Sequence, residues 1–253
     1  MYFCPLENPG ARIRTMNKER AIELNDTLSG GNAEDLLKYI IGEFRGRIVF
    51  ASSMGAEDQV LFHMIHTIEP SVPVFTLDTG RIFPETYELI ERTAEKYNKE
   101  IMIFFPDKEK VERMVSEKGI NLFYHSVENR KQCCQVRKND PLKRALKDYD
   151  VWICGLRKEQ SSHRSSTELI EWDEQHEMIK VNPLLEWKND QVWSYIKGNK
   201  IPYNFLHDKG FPSIGCQPCT RAILSGEDFR SGRWWWEESD HKECGIHRKT
   251  GDQ

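Results

Sequence analysis

Between residues 33 and 44 the apolar side chains Leu36, Leu37, Ile40, Ile41 and Phe44 recur at the three- and four-residue spacing of one helix face. A short apolar run at 47–51 then predicts a buried strand, and a turn of small residues leads into a second helix at 58–68. The alternation continues with a strand at 72–77, a helix at 84–97 opened by a proline, a strand at 101–105 and a helix at 108–118. A later apolar strand follows at 151–155. Strands alternating with helices at this spacing predict an α/β fold on a doubly wound, mostly parallel sheet. Residues 1–17, with Pro5, Pro9 and Gly10, read as a loosely ordered lead-in, and 18–205 as the α/β domain. From 206 to 253 the alternation stops and Gly, Trp and charge accumulate, as in a segment packed on that same domain.

Composition narrows the class. Of 253 residues, 38% are hydrophobic and 30% charged, the balance of a folded soluble domain. No apolar run approaches the length of a bilayer span, and Glu7, Arg12, Arg14 and Lys18 interrupt the N-terminus, so no membrane anchor or export signal is expected. A net charge of −4 argues against a nucleic-acid partner. The expectation is a cytoplasmic protein that works on neither membranes nor nucleic acids.

Ligands of doubly wound sheets collect beyond the carboxyl ends of the strands, and three such ends carry suggestive residues. Ser52-Ser53-Met54-Gly55-Ala56-Glu57-Asp58 leads from strand to helix; its small residues let backbone amides approach a phosphate at the helix N-terminus. An ordinary serine-capped turn would look the same, and the Gly-Lys-Ser/Thr ending of a P-loop is absent. Leu77-Asp78-Thr79-Gly80-Arg81 offers an Asp for a ribose hydroxyl or base edge and an Arg for an anion, or simply a turn capped by Asp78. Gly155-Leu156-Arg157, with Gln160, Ser161 and Arg164, is either an anion clamp or a solvated loop.

The seven cysteines are the most informative residues. Without an export signal a disulfide framework is the weaker reading, and metal binding or thiol chemistry the stronger. Cys133-Cys134 lies in a basic stretch from Arg130 to Lys147, which as a charge run is either a solvated helix face or a functional surface. Cys216-Gln217-Pro218-Cys219 follows after 81 intervening residues. Four thiolates could hold zinc or an iron–sulfur cluster. Neighbouring side chains on a helix diverge by about 100°, which is awkward for one zinc tetrahedron but suits two irons of a cubane. A thioredoxin-like redox pair at Cys216 and Cys219, or buried free thiols, are the alternatives. Cys244, flanked by His241, Lys242, His247 and Arg248, is either a nucleophilic thiolate or an incidental thiol. Arg230 and Arg233 could bind phosphate or sulfate, with Trp234-Trp235-Trp236 beside them as packing. Cys4 and Cys154 read as structural.

Taken together, the two cysteine pairs, Arg230-Ser231-Gly232-Arg233-Trp234-Trp235-Trp236-Glu237 and Glu243-Cys244-Gly245-Ile246-His247 resemble assimilatory adenylyl sulfate (APS) reductases of the PAPS reductase family. The resemblance spans about residues 40 to 248 and includes the three strand-end motifs in order. It implies the adenine-nucleotide α-hydrolase-like fold of PP-loop enzymes, with 18–205 as the nucleotide-binding domain. It further implies reduction of APS to sulfite and AMP in sulfate assimilation and cysteine biosynthesis. Cys244 would attack the sulfate sulfur to give an S-sulfocysteine, from which thioredoxin or glutaredoxin would release sulfite. A [4Fe–4S] cluster would be held by Cys133, Cys134, Cys216 and Cys219 and would not shuttle electrons. Substrate would be bound by Ser52, Ser53, Gly55, Glu57, Asp58, Leu77, Asp78, Thr79, Gly80, Lys138, Gly155, Arg157, Arg164, Arg230 and Arg233, and a homo-oligomer is expected. The quartet favours APS over its 3′-phosphorylated form PAPS, although some cluster-bearing members accept both. Two other readings use the same residues: an ATP-dependent PP-loop tRNA-thiolation enzyme, and a non-catalytic zinc-stapled binding module.

Overall fold

The computed structural model describes residues 16–161 and 164–237. Two helices precede the sheet, α1 (Lys18–Leu28) and α2 (Ala33–Glu43), capped by Asn17 and Asn32, whose side chains accept from the amides of Arg20 and Asp35. Then follow β1 (Ile48–Ala51), α3 (Ala56–Ile68), β2 (Val74–Leu77), α4 (Pro84–Tyr97), β3 (Met102–Phe104) and α5 (Lys108–Lys118). The predicted elements in this stretch are all present, with α3 starting two residues earlier than the periodicity suggested. Pro84 opens α4, and Asn98 ends it in the left-handed conformation at φ 44°.

The basic stretch is helical: α6 (Val127–Cys134), a π-helical turn at Gln135–Asn139, and α7 (Asp140–Leu146). The chain continues through β4 (Val151–Ile153), β5 (Ile170–Asp173), β6 (Met178–Val181) and α8 (Asn189–Gly198). The β5–β6 hairpin, α1 and α8 were not apparent in the apolar pattern.

The six strands form one sheet in the order β3-β2-β1-β4-β6-β5, parallel except for β5, which runs antiparallel to β6. Successive side chains of a strand point to opposite faces, and both faces here are apolar. Ile48, Phe50, Val151 and Ile153 join the core formed with α1, α2, α3, α4 and α8, whereas Val49, Trp152 and Cys154 join Leu142, Ala145 and Leu146 of α7 on the other side. This is the expected doubly wound α/β arrangement. The apolar run around β3 is an edge instead, with Ile103 and Phe105 exposed. Among the described residues no helix is long and apolar enough to cross a membrane.

Candidate active site

The strand order reverses at β1, which leaves a crevice where the loops after β1 and β4 part. A cavity of about 220 Å³ fills it. Its wall includes Ser52, Ser53, Gly55, Glu57 and Asp58 after β1, Leu77 and Thr79 at the end of β2, and Gly155 after β4. Lys138 from the π turn, Arg164, and Arg230 and Arg233 of the C-terminal segment complete the cationic side. Sequence-distant cations therefore converge on one space with the N-terminus of a 13-residue helix.

The β1–α3 turn is shaped for backbone approach. Met54 adopts φ 62°, uncommon for a side chain of that size, and Gly55 rather than a serine is the N-cap of α3, with no side-chain cap bond. The helix amides thus face the cavity, and the helix dipole favours an anion there. Asp58 braces the turn: its Oδ2 accepts from Ser53 N and from Ser53 Oγ, both at 2.6 Å. Burial pushes the Asp58 carboxyl up to about 6, against the pull of the Ser53 hydrogen bonds. Gly155 is in close contact with the same helix end, since a Cβ there would lie 2.3 Å from Asp58 Oδ1 and 3.2 Å from Asp58 N.

Three residues expected at the substrate are absent from the cavity wall. The Asp78 carboxylate accepts from Gly80 N and from the Tyr87 hydroxyl, each at 2.7 Å, so it closes the turn after β2. Gly80 sits in that turn at φ 70°, with a Cβ position 3.3 Å from Arg137 Nη1. Arg157 is buried and paired with Glu57 and Glu159, both at 2.8 Å, while its Nη1 also donates to the Trp187 carbonyl at 3.2 Å. Its charge is satisfied within the protein.

Cys133, Cys134, Cys216 and Cys219 all line a second, small cavity together with Arg81, Arg137, Lys138 and Trp234. The tertiary structure brings the two pairs together through the turn after β2. Arg137 Nη1 donates to the Thr79 carbonyl at 2.7 Å, Thr79 Oγ1 lies 3.2 Å from Cys216 Sγ, and Gln217 N donates to the Arg81 carbonyl at 2.8 Å. None of these four cysteines forms a disulfide. Burial raises the Cys133 thiol and pushes Cys219 up to about 12, with the Cys216 charge adding to it and Lys138 opposing. Among the described residues no group of three or more His, Cys, Asp or Glu side chains is arranged to hold a single metal ion. Lys138 and Cys216 belong to both cavities, so they form the wall between them. Cys154 is buried, donates to Asn182 Oδ1 at 3.0 Å and is pushed up to about 12 by burial, as suits an inert thiol. Cys4 and Cys244 lie outside the described residues.

Sequence reasoning missed His207 and the role of Arg130. His207 lines the first cavity with a buried Nε2 that has no hydrogen-bond partner, and burial lowers its pKa. A lone histidine outside any motif gave no signal. Arg130 was one charge among seven in the basic stretch, yet it is buried against the C-terminal segment.

Residues 47–222 match the phosphoadenosine phosphosulfate reductase domain. The chain belongs to that family. The matched span holds both cysteine pairs and all three strand-end loops, while Arg230 and Arg233 lie beyond it. Among family members, an adenosine 5′-phosphosulfate reductase of Burkholderia cepacia is 49% identical over 216 residues, 85% of this chain and 86% of that protein. One of Allochromatium vinosum is 48% identical over 217 residues, 86% of this chain and 84% of the other. The crystal structure of a phosphoadenylyl-sulfate (PAPS) reductase from Candida auris superposes with a TM-score of 0.70 at 29% identity, covering 83% of this chain and 98% of that one. An FMN adenylyltransferase of Candida glabrata shares the fold at 17% identity and a TM-score of 0.54, covering 87% of this chain and 83% of that one.

Proposed function

We propose that this family member reduces adenylyl sulfate to sulfite and AMP, with Cys244 as nucleophile and thioredoxin or glutaredoxin as the dithiol reductant. The observation that carries the proposal is the convergence of Lys138, Arg164, Arg230 and Arg233 with the α3 N-terminus on one cavity at the switch point of the sheet. AMP departs readily only where fixed cations and amides meet the charge that develops on its phosphate. The relatives named as adenosine 5′-phosphosulfate reductases support APS as the substrate.

In this reading the α3 N-terminus with Ser52 and Gly55 receives the phosphate, and Ser53 lines the same turn with its two donors held by Asp58. Leu77 and Thr79 face the nucleoside, and the four cations surround the phosphosulfate. Cys244 Sγ attacks the sulfate sulfur; the bond from that sulfur to the bridging oxygen breaks and its electron pair leaves with AMP. One thiolate of the reductant then attacks Cys244 Sγ and expels sulfite. The second thiol resolves the mixed disulfide, so the dithiol supplies both electrons and ends as a disulfide. Asp78, Gly80 and Arg157 act by shaping the loops. A cytoplasmic setting would keep the thiols reduced.

Four thiols, with no other donor type among them, around one cavity support a [4Fe–4S] cluster on Cys133, Cys134, Cys216 and Cys219. Bound there, the cluster would supply an electrostatic field beside the sulfate rather than electrons. Lys138, in the wall between the cavities, would be the residue through which the two sites feel each other.

The likeness to a PAPS reductase favours a second reading in which the 3′-phosphorylated substrate is also accepted. Intact mass of anaerobically purified, iron-loaded protein after APS or PAPS, with no thiol present, tests both. A sulfonate on Cys244 with stoichiometric AMP from APS alone is the expected result. Adducts from both substrates would mark a dual enzyme. An adduct from neither would overturn the reading in favour of an ATP-dependent PP-loop chemistry.

A further inference from the structure

The C-terminal segment is fastened to the cysteine-bearing helix by one buried ion pair. Arg130 of α6 donates from Nε to Glu237 Oε1 at 2.9 Å and from Nη2 to Glu237 Oε2 at 2.7 Å. The two side chains are 1% and 3% exposed. Desolvating two charges is costly, and replacing such a pair by packed apolar groups often costs nothing, so a buried pair is better read as fixing geometry than as adding stability.

The geometry it fixes is that of Trp234. This indole is buried at φ 41°, its backbone N–H donates to the Cys219 carbonyl at 3.1 Å, and it packs in one cluster with Cys133 and Cys219. The guanidinium carbons of Arg130 and Arg233 each lie 4.8 Å from its ring centroid, and that of Arg230 lies 6.0 Å away. Arg233 is held on its other sides by donation from Nη1 to Ser213 Oγ and to the Ile214 carbonyl, both at 3.3 Å. It also lies against Gly215, where a Cβ would come within 2.3 Å of Nη2. Arg230 and Arg233 in turn line the nucleotide cavity.

We propose that Arg130, Trp234 and Glu237 form a positioning clasp: the ion pair orients the indole, and the indole aims Arg230 and Arg233 at the anionic part of the substrate. The clasp is outside the wall of the nucleotide cavity, although Arg130 and Trp234 line the thiol cavity, and it acts on the substrate through those two arginines. The inference rests on the reading of that cavity as the APS site.

Two measurements test it. The first is calorimetric binding of APS and of adenosine to protein carrying Cys244→Ser, which prevents turnover. Glu237→Gln and Arg130→Lys, which keeps the charge but loses the two-point fork, are each expected to weaken APS about tenfold and to leave adenosine unchanged. Adding Glu237→Gln to protein that carries both Arg230→Ala and Arg233→Ala should weaken APS no further than those two changes alone. Additive losses, an equal loss of adenosine, or a fall in bound iron that matches the loss of APS would overturn the clasp, leaving a pair that supports the fold or the thiol cavity instead. The second is a crystal structure of Glu237→Gln, or of Arg130→Lys if the first variant does not fold. Arg233 should leave Ser213 and Ile214; an unmoved Arg233 overturns the clasp. If the parent protein fails to bind APS, the functional reading falls, and the crystal comparison still decides the clasp.

Discussion

Arg157 Nε donates to Glu57 Oε1 at 2.8 Å, with the arginine 1% exposed, so the loop after β4 is pinned to the first turn of α3 by a buried ion pair. The pair sets the two loops that flank the cavity at the switch point of the sheet at a fixed separation. It also accounts for an arginine that by sequence resembles an anion clamp but has its charge met by Glu57 and Glu159.

Breaking that pair from one side strands a carboxylate. Arg157→Met is expected to destabilise the protein by about 3–5 kcal/mol, the usual cost of an uncompensated buried charge. Urea unfolding measures it. Adding Glu57→Leu to the same variant should restore most of the loss in stability, because an apolar pair of similar volume has no charge to desolvate. No restoration would mean that Arg157 acts through its other partners.

Gly155→Ala places a methyl 2.3 Å from Asp58 Oδ1 and 3.2 Å from Asp58 N. The second contact is with backbone, so the strand end or the helix must shift, at a cost of about 1–3 kcal/mol. AMP titration should show affinity falling by a larger factor than for a matched Gly42→Ala change, where a Cβ meets nothing within 4 Å. Equal affinities would remove the close approach from the binding argument.

Asp58 carries a pH signature. Its carboxyl is pushed up to about 6 in the folded protein, above an ordinary value of 3.8, so the folded state binds its proton more tightly than the unfolded chain. The resulting stabilisation is complete below the unfolded value and is lost as pH rises through about 6. Asp58→Asn should therefore remove a decline in unfolding free energy of order 2–3 kcal/mol between about pH 4 and 7. Urea titrations of both proteins across that range measure the difference; parallel profiles would contradict the assignment.

The cysteines should separate into two classes. Cys244→Ser is expected to abolish sulfite release while bound iron and the visible absorbance stay at the parent level. Cys219→Ser should lose the iron, since Cys219 lines the shared thiol cavity. Iron analysis beside a sulfite assay reads both. Sulfite production by Cys244→Ser would end the nucleophile assignment, and full iron in Cys219→Ser would remove that residue from the ligand set.

Much of the architecture was legible along the chain. Both faces of β1 and β4 are buried, so Ile48, Val49, Phe50, Val151, Trp152 and Ile153 are apolar without interruption, the pattern of a covered parallel strand. The helix α2 carries one apolar face and was legible from its period, whereas α4 was placed by its turn in the strand–helix alternation and by Pro84 at its start. The β5–β6 hairpin was hidden because Glu171, Trp172, Asp173 and Lys180 mix charge with apolar residues, and Lys180 and Glu171 neutralise each other only once the strands pair. β3 read like its neighbours because an apolar run does not reveal that its strand will stand at the edge of the sheet.

The sequence by itself determined the residue types of the site: two cysteine pairs, cations near both, and small residues at three strand ends. Only the tertiary structure decided their partners. Asp78, Arg157 and Arg130 have the same chemistry as residues that bind ligands, but each meets Tyr87, Glu57 or Glu237 from a distant part of the chain. Whether a charge serves a substrate or a neighbour depends on which groups share its desolvated surroundings. Those surroundings are set by long-range packing, which local periodicity and spacing do not encode.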